Sequence, residues 1–114
     1  MGKRIVRVTL NNLSTKLLDI GYVGENVHTQ VIIDCREVLW DYPEATVSMI
    51  VRSPSGSSYT VEPTVSEMDV VWDIGSDDVS VAGTSRIQLI FTSGTEIIRS
   101  AIGNVRIADS LTTT

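Results

Sequence analysis

Residues 45–63 decide the fold class: Ala45-Thr46-Val47-Ser48-Met49-Ile50-Val51-Arg52, then Ser53-Pro54-Ser55-Gly56, then Tyr59-Thr60-Val61. Val47, Met49 and Val51 recur at every second position, which is the spacing of a strand with one face on a core. The turn-formers come next, with Pro54 presetting φ and Gly56 accepting a positive φ at no steric cost. Tyr59 and Val61 resume the alternation, so the stretch predicts a β-hairpin over 45–63.

The same period extends in both directions. Toward the N-terminus, Ile5 to Leu10 sets Val6, Val8 and Leu10 against Arg7 and Thr9, and Val27 to Ile33 sets Val27, Thr29, Val31 and Ile33 against His28, Gln30 and Ile32. Toward the C-terminus, Val70, Trp72 and Ile74 share one face, as do Ile87, Leu89 and Phe91. Ser93-Gly94-Thr95 turns the chain into Glu96 to Ile102, and Val105 and Ile107 continue the alternation after a bulge predicted at Ile102-Gly103-Asn104. Two stretches break the period. Arg36 to Pro43 is rich in large side chains and ends at a proline, which predicts a short helical turn or ordered loop with Trp40 and Tyr42 over one end of the core. Gly75 to Gly83 offers Ser76 or Asp77 as an N-cap and Gly83 as a terminator, which predicts one helical turn bridging two sheets. Seven to nine short strands with almost no helix make an all-β sandwich of two antiparallel sheets. It is expected as one domain over 1–111, with a frayed polar tail at 112–114.

With 114 residues, 42% of them apolar, the chain suffices for one core and is too short for a barrel enzyme or a two-domain cleft. A lone Cys35 allows no intrachain disulfide and no cysteine-based zinc site. Apolar runs last only a few residues and the opening segment lacks a signal-peptide core, so neither membrane association nor leader-driven secretion is expected. The net charge of −5 divides unevenly: Lys3, Arg4, Arg7 and Lys16 stand in an opening sixteen residues without an acid, and the remainder has five basic residues against fourteen acids. An acidic body opposes a phosphate backbone, so nucleic acid is not an expected partner. For the basic opening segment two readings stand. Lys3, Arg4 and Arg7 dock on an acidic partner surface, or they are solvated charges that keep an edge strand from pairing with other sheets.

Candidate chemistry is sparse. His28 is the only imidazole and falls on the polar side of a strand, and none of the serines sits in a nucleophile-elbow motif. Cys35 ends an apolar strand, where it reads as a small buried filler, although Arg36 beside it would favour a thiolate. Asp73, Asp77 and Asp78, with Glu67 and Asp69 near, form the densest acid group, but they lack the spacing and turn glycine of an EF-hand loop, and helix capping accounts for Asp77 or Asp78. No catalytic residue, metal ligand or cofactor is therefore expected. Trp40 and Tyr42 are the aromatic residues placed in a loop, the best candidates for an anchor or a sugar-stacking platform. Asn12-Leu13-Ser14 matches a glycosylation acceptor and reads as a chance match.

The second half has a recognisable pattern: Val70-Val71-Trp72-Asp73-Ile74, then Asp77-Asp78 through Ala82-Gly83, then Arg86-Ile87-Gln88-Leu89-Ile90-Phe91, Ile97-Ile98-Arg99-Ser100, and Asn104 to Leu111. Together with Tyr22-Val23-Gly24-Glu25-Asn26 and Ser53-Pro54-Ser55-Gly56 upstream, it resembles an N-terminal module of tailed-phage virion proteins: the baseplate, tail-fibre and head-fibre proteins of phages of Gram-positive bacteria. The resemblance spans roughly 20–111 and implies an immunoglobulin-like sandwich acting as a non-enzymatic attachment base or capsid decoration. It implies a virion location after synthesis in the bacterial cytoplasm, other virion proteins of capsid, tail or fibre as partners, and self-association, with a trimer among the states. The family brings no catalytic residues. Partner contact is expected at Lys3, Arg4 and Arg7 on the leading strand and at Trp40 and Tyr42 in the loop. The alternative use of the same architecture is a carbohydrate-binding or adhesin module directed at the host envelope.

Overall fold

A computed structural model describes residues 4–24 and 29–109 of the chain. His28 and the 112–114 tail lie outside the described residues. The predicted hairpin is present: β4 (Thr46–Arg52) pairs antiparallel with β5 (Ser58–Val61). Its turn is closed by the Ser53 N–H on the Ser57 carbonyl at 2.8 Å, and Gly56 takes φ +97°. Eight further strands surround it: β1 (Arg4–Thr9), β2 (Leu17–Tyr22), β3 (Thr29–Asp34), β6 (Thr64–Ser66), β7 (Asp69–Asp73), β8 (Gly83–Ser93), β9 (Glu96–Arg99) and β10 (Gly103–Ala108). They form a four-stranded sheet in the order β1-β3-β7-β6 and a six-stranded sheet in the order β2-β10-β8-β4-β5, with β9 on the same edge of β8 as β10.

The alternation read from the sequence is the alternation of burial. Val8, Val31, Ile33, Val70 and Trp72 face inward from the smaller sheet. Leu18, Ile20, Val47, Met49, Val51, Ile87, Leu89, Phe91, Val105 and Ile107 face them from the larger. Each such side chain taken fully from water contributes about 1.5–3 kcal/mol, and this shared interior is what joins the two layers.

Several details differ from expectation. The described residues contain ten strands rather than seven to nine: β2 is a strand that the sequence reading does not include, although Leu18 and Ile20 alternate with Leu17 and Asp19, and β6 is a three-residue edge strand too short to show a period. The sheets are mixed, unlike the all-antiparallel immunoglobulin-like arrangement: β1 runs parallel to β3, and β2 parallel to β10. The chain passes from β1 in one sheet to β2 in the other and back to β3, and two reversals return it in its first direction. The register shift lies on the β2–β10 pair at Arg106/Ile107, not at Gly103. Gly103 serves close packing instead, since a Cβ there would stand 2.7 Å from Leu13 Cγ. Between β9 and β10 the ladder is interrupted at Ser100, whose Oγ accepts the Leu89 N–H at 2.9 Å in place of a backbone carbonyl.

Among the described residues there are three helical turns: α1 (Arg36–Leu39), where a helical turn or ordered loop is expected, and two 3₁₀ turns, Leu10–Asn12, where none is expected, and Ser76–Val79. The last bridges the two sheets as predicted, leading from β7 to β8. Its N-cap is Gly75, whose N–H donates to Asp78 Oδ2 at 2.8 Å, rather than Ser76 or Asp77. In α1 the Arg36 N–H is held by Asp34 Oδ1 at 3.0 Å. Cys35 and Leu39, one turn apart, take the inward positions, so Leu39 closes that end of the core while Trp40 is turned out at 71% exposure. The expectation that Trp40 covers the core is corrected by that rotation.

Candidate interaction surface

Strand alternation separates the basic residues of the leading segment. Lys3 lies outside the described residues. Arg4 and Arg7 are three apart on β1 and therefore point to opposite faces. Arg4 reaches Thr29 Oγ1 with Nη1 at 3.5 Å and borders an open groove of about 650 Å³ shared with Asp19, Tyr22 and Arg106. Arg7 stands on the outer face beside Lys16, Asp34, Arg36 and Asp69. As expected for an edge strand, β1 pairs on one side only among the described residues, with β3. Trp40 is exposed, whereas Tyr42 is half-buried and hydrogen-bonded to Glu96, whose carboxylate holds the phenol above its ordinary range.

The other candidates resolve into structural roles. Cys35 is fully buried, and burial, followed by the charges of Asp34, Asp69 and Glu37, pushes its thiol up to about 12. The adjacent Arg36 does not offset this, and a thiol held neutral is a poor nucleophile. The acid group disperses: Asp73 Oδ1 accepts from Gln30 Nε2 at 3.0 Å, Asp78 caps its own turn and accepts the Tyr59 hydroxyl, and Asp69 lies at the far end of β7. Among the described residues no three His, Cys, Asp or Glu side chains converge as a metal site. Nor is any helix among them long and apolar enough to cross a membrane.

Sequence reading missed the outer face of the six-stranded sheet. Arg52 on β4 stands directly opposite Arg86 on β8, which stands opposite Asn104 on β10, which stands opposite Leu17 on β2. The neighbouring rows are Ile50 with Gln88, and Ser48 with Ile90 and Arg99. Beyond them Thr46 pairs with Thr92 and Thr92 with Ile97, while Thr84 and Asp19 flank Arg106. The signal was present in the strand parity, since Arg52, Arg86 and Arg106 each adjoin an inward-facing Val51, Ile87 or Val105. What the sequence does not show is which strands lie side by side.

No protein-family model matches the chain, and no curated protein matches it in sequence. Among solved structures its fold is similar to that of the "N-terminal domain of phage TP901-1 ORF48", with a TM-score of 0.58 and 6% sequence identity. The similarity covers 95% of this chain and 99% of that one. At so low an identity the likeness is one of fold, and it extends over both sheets.

Proposed function

We propose that the chain is a non-enzymatic structural module of a phage virion, located in the particle after synthesis in the bacterial cytoplasm, which attaches to other virion proteins through the outside of its sandwich. The observation behind this reading is the near end-to-end fold similarity to the N-terminal domain of a phage protein, 95% of one chain against 99% of the other. The sequence patterns that resemble virion attachment modules support it independently. Capsid, tail or fibre proteins are the partners, and self-association, a trimer included, belongs to the same reading. The test is to determine the genes flanking the coding sequence and to search purified particles from the encoding strain for this chain by mass spectrometry. Portal, capsid or tail genes alongside, with the chain found in particles, are expected; a metabolic neighbourhood and particles free of the chain overturn the reading. The exposure of Trp40 favours a second reading, a sugar-binding module. Saturable quenching of tryptophan fluorescence by envelope glycans, lost in Trp40→Ala, would establish it in place of the first.

A further inference from the structure

The outer face of the six-stranded sheet concentrates positive charge on a chain that is otherwise acidic. Beyond position 16 there are five basic residues, and four of them, Arg52, Arg86, Arg99 and Arg106, lie in its outward rows. The one carboxylate that the registers place there is Asp19, and it is engaged by Arg106 at 3.9 Å. Among the described residues Arg86 and Arg99 are in no ion pair, while Arg52 donates only to Ser58 Oγ at 3.3 Å. Arginines directly opposite one another on neighbouring strands repel and destabilise the isolated sheet.

Apolar side chains lie between these charges. Ile97 is 62% exposed and Leu17 54%, Ile50 and Ile90 are half-buried, and Ile102 borders a shallow cleft of about 120 Å³ together with Ile50, Arg52 and Arg86. The opposite outer face has different chemistry: its rows hold Asp34, Asp69 and Asp73 with Arg7.

We infer that the Arg52–Arg86 row and its flanking isoleucines form a docking site for an acidic protein surface with an apolar centre. Charge complementarity selects the occupant. Carboxylates from a partner would meet the paired guanidinium forks and remove the repulsion between them, while its apolar residues cover Ile50, Ile90 and Ile97. A second copy seated by the same face would oppose arginines with arginines. A polyphosphate would pair the arginines and leave the isoleucines in water, and it is repelled by the net charge of −5. This rests on the attachment reading for its biological setting, and it names the surface and the chemistry of the partner.

The test uses the full chain with a photo-crosslinking residue at Ile97 on this face or at Ile5 on the other, both positions exposed, co-expressed with each flanking gene product in turn. Adducts from position 97 to an acidic protein are expected, with none from position 5. Arg52→Glu sets a carboxylate directly opposite Arg86, so its melting temperature should hold or rise while affinity for that protein falls by about tenfold or more. Asp73→Asn, on the opposite outer face, should leave binding unchanged. Adducts only from position 5, adducts to nucleic acid or to another copy of the chain, no adduct at all, or binding indifferent to Arg52→Glu would each overturn the inference. If the acidic partner crosslinked at position 97 is not a virion protein, the docking site stands and the virion reading fails. If a virion protein crosslinks only from position 5, the reverse holds.

Discussion

Trp72 and Trp40 occur in almost the same local sequence, Val71-Trp72-Asp73 and Leu39-Trp40-Asp41, and meet opposite surroundings: the first is 2% exposed and the second 71%. Hydrophobicity does not separate them. Trp72 sits on β7 opposite Val31, at a position that the two-residue repeat turns inward. Trp40 follows α1, where each residue advances about 100° around the axis, so the inward place falls to Leu39 and Trp40 rotates past it. The repeat that a segment adopts decides which of its side chains is dry.

The largest expected effect tests that contrast directly. Trp72→Ala should lower the unfolding free energy by about 3–5 kcal/mol, the cost of emptying a packed aromatic site, whereas Trp40→Ala should change it by no more than about 0.5 kcal/mol. Urea unfolding followed by circular dichroism reads both. Iodide quenching should reach a large share of the wild-type fluorescence and little of that from Trp40→Ala. Equal destabilisation by the two substitutions would break the comparison.

A second effect concerns the dry side of the same helical turn. Cys35 is buried there, its thiol pushed from 9.0 up to about 12 by burial first and then by Asp34, Asp69 and Glu37. A folded value above the unfolded one means that the neutral thiol contributes fully below about pH 9 and that this contribution is lost as pH rises toward 12. The loss reaches about 4 kcal/mol at most, at 1.36 kcal/mol for each unit. Cys35→Ala lacks this contribution, so the stability gap between wild type and variant measured near pH 8 should narrow near pH 11. A gap that stays constant would mean that the turn does not close a dry end of the core.

Legibility in the sequence followed the same division. Segments with a sustained repeat announced their inward faces, as Val47, Met49 and Val51 did in the 45–63 hairpin, whereas sequence reading missed β2, with its inward Leu18 and Ile20. The short turns did not announce theirs, because a four-residue helix such as Arg36–Leu39 offers one rotation and no repeat from which to read a face. The parallel pairs were not legible either, since alternation tells which side of a strand is wet and says nothing about its neighbour or direction. The arginine row went unseen for that reason: Arg52 and Arg86 are thirty-four positions apart and meet only through the β4–β8 register. Lys3, Arg4 and Arg7 looked like a cluster because they are close in sequence, yet Arg4 and Arg7 face opposite ways.

Tyr59 is the intermediate case and sharpens the comparison most finely. Its ring packs against the core from β5 while its hydroxyl donates to Asp78 Oδ1 in the turn that bridges the sheets. Asp78 in turn accepts the Gly75 N–H through Oδ2. Burial first, and then Asp78, push the phenol above its ordinary range. Tyr59→Phe keeps the ring and removes only the link to the turn, so it should cost about 1.5 kcal/mol, the low end for a hydrogen bond to a charged group. Asp78→Ala should cost more than Tyr59→Phe, because it also removes the cap. A double-mutant cycle isolates the Tyr59–Asp78 link, with an expected coupling of about 1 kcal/mol. A coupling near zero would show that the hydroxyl is as indifferent to its partner as Trp40 is to the core, and that the bridging turn is held by its backbone and by buried Val79 alone.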